Sequence, residues 1–265
     1  MATALGTVDL VTSDVAEAAP SRLIALDAVH NFRDLGGYPT ADGRTTTWRT
    51  LYRADGLYRL TPGDLSVVLE LGLHTVIDLR SDAELTSRGR FPHEDHPVAF
   101  HHLPVIDATW QEIERPEFDD DADFLLWAYH QMLDQGSPRF AAAIVELGRP
   151  GAMPAVFHCA AGKDRTGILA ALLLGSLGVP HEHIVADYAL TADGMERMRV
   201  WAAREFPELA ASMAETPSAF LAALPQAMQL LLDDICSGHG SIREFVLHIG
   251  VTDADLDGLA ANLLS

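Results

Sequence analysis

The chain has 265 residues, 48% of them hydrophobic, and its 18 basic and 38 acidic residues give a formal net charge of −20. This length and composition predict one large domain, or a domain with an added lobe, whose core needs no disulfides. The charge disfavours binding to nucleic acid. With Cys159 and Cys236 as its only cysteines, the chain is not expected to have a disulfide framework, which favours a reducing compartment.

Residues 1–20 carry acidic residues and no basic one, so they lack the positive start and apolar block of a secretory signal. We expect a flexible leader over 1–20 and a single domain over 21–265. The longest apolar stretches, such as 168–174, are too short to cross a bilayer. The sequence therefore predicts a cytoplasmic protein without stable membrane insertion, and leaves unconventional export open.

Helix and strand signals alternate in the first half of the chain. Thr61–Asp64 combines a hydroxyl cap, an early proline and an acid, which begins a helix that Gly72 ends. The β-branched run 74–79 predicts a strand. Ser81 and Glu84 then have the spacing of a capping box for a second helix.

The middle of the chain leads to a strand–loop–helix unit. Residues 91–121 are polar and rich in acids and histidines, which predicts a long surface loop, and helical periodicity follows over 123–148. A short buried strand over 154–157 runs into His158 and Cys159, and a helix is expected from about Arg165 to Leu177. Strands alternating with helices predict an α/β fold.

After Pro180 the patterns are helical throughout, punctuated by prolines. The predicted helices are 181–191, 192–206, 218–234, 240–248 and 252–264. The stretch 192–235 is rich in alanine and methionine and amphipathic, which suggests a helical flap over a functional site.

The chemistry is concentrated in HCAAGKDRTG, residues 158–167. Arg165 follows Cys159 by six positions, a spacing that lets the intervening backbone wrap one phosphate with its N–H groups pointing inward. The next helix would aim its positive end at the same anion. Arg165 can donate paired hydrogen bonds to phosphate oxygens, and this positive field favours a thiolate at Cys159. Thr166 can bond to the sulfur or assist it as a leaving group. The residues expected to bind phosphate are Ala160, Ala161, Gly162, Lys163, Asp164 and Arg165.

Two other interpretations of this segment fit less well. A nucleotide-binding P-loop needs Ser or Thr directly after its lysine and a glycine five residues before the second glycine. Here Asp164 follows Lys163, and Phe157 stands five residues before Gly162. A structural core cysteine is the other alternative, but it does not account for the ordered run of histidine, glycine, lysine, acid and arginine around Cys159.

The segment resembles the HCxxGxxR(S/T)G signature of protein tyrosine phosphatases. Together with NFRDLGG at 31–37, it is similar to the bacterial PtpB-like tyrosine phosphatases. Weaker motifs follow in the order of that family: LYRAD (51–55), VIDLRS (76–81), HLPV (102–105) and VADY (185–188). The resemblance covers roughly residues 28–265. It implies the phosphatase fold, a mainly parallel sheet flanked by helices, with a C-terminal helical lid at about 192–235.

The resemblance also implies a two-step reaction without a metal or other cofactor. Cys159 would attack phosphorus and expel the alcohol or phenol, and water would then hydrolyse the phosphocysteine. The family's general acid lies after HLP, which here is Asp107. Asp164 is the second candidate for that role, and it could instead orient Arg165 or serve as the base of the second step. Asp78 and Asp82 are more distant candidates for the general acid.

Several neighbours have supporting or open roles. His158 is expected to hold the backbone of the cysteine and tune the thiol. Lys163 either holds phosphorylated lipid head groups, as in similar lipid phosphatases, or only supports the thiolate. Asp78 is expected to be the buried partner of a nearby arginine, and the NFRDLGG polar residues are expected to brace the sheet edge near the loop. The histidines that cluster in the polar region are His93, His96, His101 and His102; solvated side chains are favoured over a metal site.

The predicted function is hydrolysis of phosphotyrosine in phosphoproteins, with dual-specificity or phosphoinositide activity as extensions. A phosphate-binding module without turnover is the alternative, and a persulfide-based sulfur transferase is a third. Because Cys159 and Arg165 are both present, catalysis is favoured. No nucleic-acid partner is expected, and the sequence does not specify an oligomeric state.

Overall fold

The structure is a computed structural model that describes residues 21–106, 116–216 and 218–265. The predicted leader, residues 1–20, lies outside these ranges. The strands are β1 (Arg33–Asp34), β2 (Leu51–Ala54), β3 (Thr75–Asp78), β4 (Ala99–His102) and β5 (Ala155–His158). They form one sheet in the order β1-β2-β5-β3-β4, in which only the β1–β2 pair is antiparallel. The prediction of a mainly parallel sheet flanked by helices is confirmed.

Helices cover both faces of the sheet and make up most of the second half of the chain. They are α1 (Pro62–Glu70), α2 (Asp82–Arg88), α3 (Asp121–Gly148), α4 (Asp164–Ser176), α5 (His181–Ala189), α6 (Thr191–Glu205), α7 (Pro207–Glu215), α8 (Ser218–Leu221), α9 (Pro225–His239), α10 (Ile242–His248) and α11 (Asp253–Leu263). None of the described helices combines the length and the apolar character that a membrane crossing requires.

The start signals of the first two helices are confirmed. Thr61 and Asp64 form a reciprocal capping box at α1, and Ser81 and Glu84 form another at α2. In each box the hydroxyl accepts from a backbone N–H that would otherwise lack a partner, and the carboxylate accepts from the N–H of the cap.

Two predicted elements were wrong. The expected loop over 91–121 contains β4, an edge strand that pairs with β3 in parallel. Its side chains are half-buried or exposed, so its composition lacks the apolar run of a central strand. The helix predicted over 218–234 is divided into α8 and α9, because Pro225 has no N–H to continue a helix and instead begins α9.

The sheet separates two apolar clusters. Val76 and Val156 pack in a smaller cluster with Val68 of α1, whereas Ile77 and Phe157 pack in the larger cluster formed with the other helices. Successive strand residues point to opposite faces, so the central strands are buried on both sides. The carboxyl ends of β2, β5 and β3 are in register, and the segment after β5 emerges between its two neighbours, where open α/β sheets bind their ligands.

Candidate active site

The loop from Cys159 to Arg165, here called the Cys loop, connects β5 to α4 at this carboxyl edge. Cys159 is 2% exposed and is a free thiol. Lys163 occupies the N-cap position of α4 but makes no side-chain cap. The positive end of α4 is therefore directed at the loop that begins with the thiol.

The carbonyl groups of the Cys loop are held from the outside. The Gly56 N–H donates to the carbonyl of Ala160 at 3.1 Å. The side-chain amide of Asn31 donates to the carbonyls of Ala161 at 3.2 Å and Gly162 at 3.0 Å. Because a planar trans peptide directs its N–H opposite to its C=O, the N–H groups that follow these carbonyls point away from Asn31, towards the inside of the loop. This is the orientation that an anion-binding concavity requires.

The glycine of the loop is required by its geometry. Gly162 has a φ of +65°, in the left-handed region. A Cβ at this position would lie 2.6 Å from the carbonyl oxygen of Ala54 and 2.8 Å from the nitrogen of Asp55. Gly162 therefore lets the loop turn while it packs directly on the end of β2.

A buried ionic cluster supports the loop from below. Arg53, on β2, donates to the carbonyl of Gly162 at 2.8 Å and to Asp187 of α5 at 2.6 Å. Arg33 donates from Nε to Asp187 at 3.0 Å, and the Tyr38 hydroxyl donates to the same carboxylate at 3.0 Å. Burial alone would raise the pKa of Asp187, but the charges of Arg33 and Arg53 outweigh it and hold that pKa well below its usual range.

This cluster links the weaker sequence motifs to one another. Arg33 also donates to Oδ1 of the Asn31 side chain. This contact fixes the amide so that its NH2 group faces the loop. NFRDLGG, LYRAD and VADY therefore contribute Asn31, Arg53 and Asp187 to a single support beneath the Cys loop. The sequence contained these motifs, but the roles of Arg53 and Asp187 were not predicted.

Arg165 is held by a carboxylate that the sequence indicated only as a helix cap. Its NH1 donates to Glu84 Oε2 at 2.5 Å and its NH2 donates to Oε1 at 3.1 Å. Burial alone would raise the pKa of Glu84, but the hydrogen bonds and charge of Arg165 lower it to about 2. Glu84 is therefore ionised near neutral pH, and it fixes the plane of the guanidinium while it caps α2.

His158 is enclosed beneath the nucleophile. It is fully buried, its Nδ1 lies 3.3 Å from the carbonyl oxygen of Cys159, and its Nε2 lies 3.6 Å from Asp78. Burial lowers the pKa of His158, although Asp78 opposes that effect. As predicted, Asp78 is the buried partner of an arginine: Arg80 binds it through Nε and NH2.

The two charged residues before Arg165 contact other parts of the chain. The Lys163 side chain is 1% exposed; its Nζ donates to the carbonyl of Ala222, between α8 and α9, at 2.8 Å and lies 3.3 Å from Asp164 Oδ1. Asp164 Oδ1 also accepts from the Tyr129 hydroxyl at 2.9 Å. Thr166 is fully buried, and its hydroxyl has no hydrogen-bond partner among the described residues.

The other candidates are placed differently. Asp107 lies outside the described residues. Asp82 is 82% exposed and faces His102 at 3.6 Å. His93 stacks on Phe100 with ring centroids 4.3 Å apart. In the described part of the chain, no three His, Cys, Asp or Glu side chains are grouped as metal ligands would be.

The chain matches the Tyrosine phosphatase family over residues 24–265. It is 34% identical over 170 residues to a predicted tyrosine-protein phosphatase of Cupriavidus necator, an alignment that covers 62% of this chain and 61% of that protein. A tyrosine-protein phosphatase of Nostoc commune is 32% identical over 144 residues, which cover 54% of this chain and 49% of the relative. The triple specificity protein phosphatase PtpB of Mycobacterium tuberculosis is 31% identical over 202 residues, which cover 66% of this chain and 71% of PtpB.

The alignments therefore span about half to three fifths of the lengths of the first two relatives. Solved structures with similarity to the chain include P. aeruginosa TpbA in complex with pTyr, at 19% identity and a TM-score of 0.30, covering 65% of this chain and 91% of TpbA. The Siw14 catalytic core has 14% identity and a TM-score of 0.38, covering 74% of this chain and 98% of the core.

Proposed function

This chain belongs to the tyrosine phosphatase family, and on that premise we propose that it hydrolyses phosphate monoesters through a phosphocysteine formed on Cys159. One observation carries the proposal: Asn31 and Arg53 bind the carbonyls of the Cys loop from outside, which directs the loop N–H groups inward, between the thiol and Arg165. A phosphate seated there would meet a nucleophile, a ring of donors and a guanidinium.

In the first step, the Cys159 thiolate attacks phosphorus, and the bond from phosphorus to the ester oxygen breaks. The inward N–H groups and Arg165 bind the equatorial oxygens and stabilise them most where charge rearranges in the transition state. Glu84 keeps Arg165 in position before substrate arrives, so little reorganisation is needed. In the second step, water attacks the phosphocysteine and Cys159 leaves as a thiolate. These groups supply the positive field from the protein itself, so the reaction as proposed needs no metal or other cofactor.

The alternative, a phosphate-binding module without turnover, fits less well. Such a module needs only the donors of the loop, whereas this chain also places a free thiol at the start of the loop and an oriented arginine at its end. The ordered nucleophile and the carboxylate that aims Arg165 favour catalysis.

We propose phosphotyrosine in proteins as the main substrate, with phosphoinositides as a second class. PtpB, whose name describes it as a triple specificity protein phosphatase, is one of the relatives. Helices within 192–235 would form a lid, since Ala222 contacts Lys163 directly. Opening of that contact would release the Lys163 ammonium for a second phosphate of a lipid head group.

A substrate panel tests this proposal. Purified protein should release phosphate from phosphotyrosine peptides and, more slowly, from phosphoserine peptides and phosphoinositide vesicles, and EDTA should leave the rates unchanged. Phosphate release would be measured by malachite green. Loss of activity with EDTA would restore the histidine–metal interpretation, and binding of phosphotyrosine without release from any substrate would favour the non-catalytic module.

We propose Asp107 as the general acid that protonates the leaving oxygen. It follows Val105 and Ile106, which are 2% and 7% exposed and anchor the chain in the core just before it. Asp107→Asn should slow hydrolysis of phosphotyrosine, whose phenolate leaving group is basic, by about 10²–10³-fold. Hydrolysis of p-nitrophenyl phosphate should slow far less, because p-nitrophenolate leaves without a proton.

The matched control is Asp119→Asn, an exposed acid of the same region, which should leave both rates unchanged. An equal effect of Asp107→Asn on both substrates, or no effect, would move the acid role to another residue, and Asp164 is the next candidate.

A further inference from the structure

Two buried tyrosines form a hydroxyl chain that ends on the Cys loop. Tyr129 of α3 and Tyr188 of α5 are 0% and 1% exposed. Their hydroxyl groups are hydrogen-bonded to each other, and the Tyr129 hydroxyl also contacts Asp164 Oδ1 at 2.9 Å. Asp164 is the first residue of α4. The chain therefore connects two helices outside the phosphate site to a carboxylate within it.

The direction of these hydrogen bonds follows from the number of hydrogens that each hydroxyl can donate. Burial raises the pKa of Tyr129 well above its usual value, and the negative charge of Asp164 raises it further. Burial also raises the pKa of Tyr188. Both phenols therefore stay protonated, and because each has a single hydrogen, Tyr188 donates to Tyr129 and Tyr129 donates to Asp164.

The two oxygens of the Asp164 carboxylate differ in their contacts. Oδ1 receives the Tyr129 hydroxyl and lies 3.3 Å from the Lys163 ammonium. Oδ2 has no hydrogen-bond partner among the described residues, and the Asp164 side chain as a whole is 24% exposed. The two groups at Oδ1 hold the carboxylate in one orientation, which leaves Oδ2 as the oxygen that can accept a hydrogen bond from a water molecule.

The packing around Tyr188 depends on the glycine that ends the HCAAGKDRTG segment. A Cβ on Gly167 would lie 2.9 Å from Cδ2 of the Tyr188 ring and 3.1 Å from Cε2. Gly167 therefore lets the ring pass close to the first turn of α4. The same ring position brings the Tyr188 hydroxyl to Tyr129, so the glycine and the tyrosine of VADY act together.

We propose that the Tyr188–Tyr129 hydroxyl chain positions Asp164 as the base of the second step, an inference that rests on the proposed function. The oxygen of a water molecule attacks the phosphorus of phosphocysteine, the S–P bond breaks, and its electron pair returns to Cys159 as a thiolate. The water proton passes to Asp164 Oδ2, and inorganic phosphate is released. Tyr129 and Tyr188 are positioning residues that fix the carboxylate and touch no reacting atom.

Tyr129→Phe tests this role with p-nitrophenyl phosphate in a stopped-flow instrument. It should lower kcat about tenfold, the scale of losing a hydrogen bond to a charged group, without raising KM. The rate of the pre-steady-state burst of p-nitrophenol should be unchanged, because the first step does not use Asp164. Acid quenching with 32P-labelled substrate should trap more phosphocysteine than in the wild type.

Tyr188→Phe is the second variant, because it keeps the direct Tyr129–Asp164 contact; it should lower kcat by a smaller factor in the same direction. Tyr52→Phe is the matched control, since its hydroxyl is also buried but has no hydrogen-bond partner among the described residues. Its kinetics should equal those of the wild type.

Two outcomes separate the inference from the proposed function. The positioning role alone would be overturned if phosphocysteine is trapped in the wild type and neither tyrosine variant increases its amount. A slower burst in Tyr129→Phe would overturn it as well. No trapped phosphate in the wild type or in either variant would remove the covalent intermediate, and the proposed function with it.

Discussion

Replacing Cys159 with serine is expected to abolish turnover while phosphate still binds. A serine hydroxyl stays protonated where a thiol ionises, so the variant lacks the nucleophile, and kcat should fall by up to about 10⁶-fold, the scale seen when the nucleophile of a covalent mechanism is removed. The inward N–H groups and Arg165 do not depend on the sulfur. Binding of inorganic phosphate, measured by calorimetry, should therefore stay within a few-fold of the wild type.

Cys236→Ser is the matched control. Cys236 lies in α9, half-buried, with its sulfur 3.8 Å from His181 Nε2 and remote in sequence from the Cys loop. The Cys236→Ser variant should keep the wild-type kcat. This control separates loss of the nucleophile from any general effect of removing a thiol. A Cys159→Ser protein with near wild-type turnover would eliminate the phosphocysteine mechanism.

The Cys loop could be predicted from sequence because its determinants are local. The buried strand β5, Gly162 with its positive φ and the start of α4 lie within ten residues of one another. Each of the three is indicated by the residues of its own short segment. The capping boxes of α1 and α2 were predictable for the same reason, since their partners are three residues apart.

Contacts across the fold could not be derived from the sequence. Asn31 and Gly162 are 131 residues apart, and Arg165 and Glu84 are 81 residues apart. Nothing in one sequence specifies which of many arginines and acids will meet when the sheet assembles. Glu84 illustrates the limit. Its spacing from Ser81 predicted a helix cap, but its second partner, Arg165, comes near only because β3 and β5, which lead into α2 and α4, pair in the sheet.

The edge strand β4 was missed for a related reason. Ala99 is exposed and the rest of β4 is half-buried, so the segment resembles a loop in composition. Its pairing with β3 is a property of the sheet, because a parallel partner contributes backbone hydrogen bonds without any sequence signal.

Arg165→Lys is expected to lower kcat by about 10²–10³-fold, the effect of losing a donor that binds charge in the transition state. A guanidinium has five N–H donors, and the two that contact Glu84 leave others for phosphate. A lysine ammonium is a point charge without the planar fork, so it cannot hold the Glu84 carboxylate and present paired donors to phosphate at once. Steady-state kinetics with phosphotyrosine peptide would measure the loss.

Two further variants distinguish the effect of the orientation of Arg165 from the effect of its positive charge. Arg199→Lys changes an exposed arginine that pairs with Glu196 on α6 and should have wild-type kinetics. Glu84→Gln keeps Arg165 and its charge but weakens the contact that orients it, so kcat should lie between those of the wild type and Arg165→Lys. Full activity in Arg165→Lys would show that one positive charge is sufficient, and paired binding of phosphate by this arginine would then have to be abandoned.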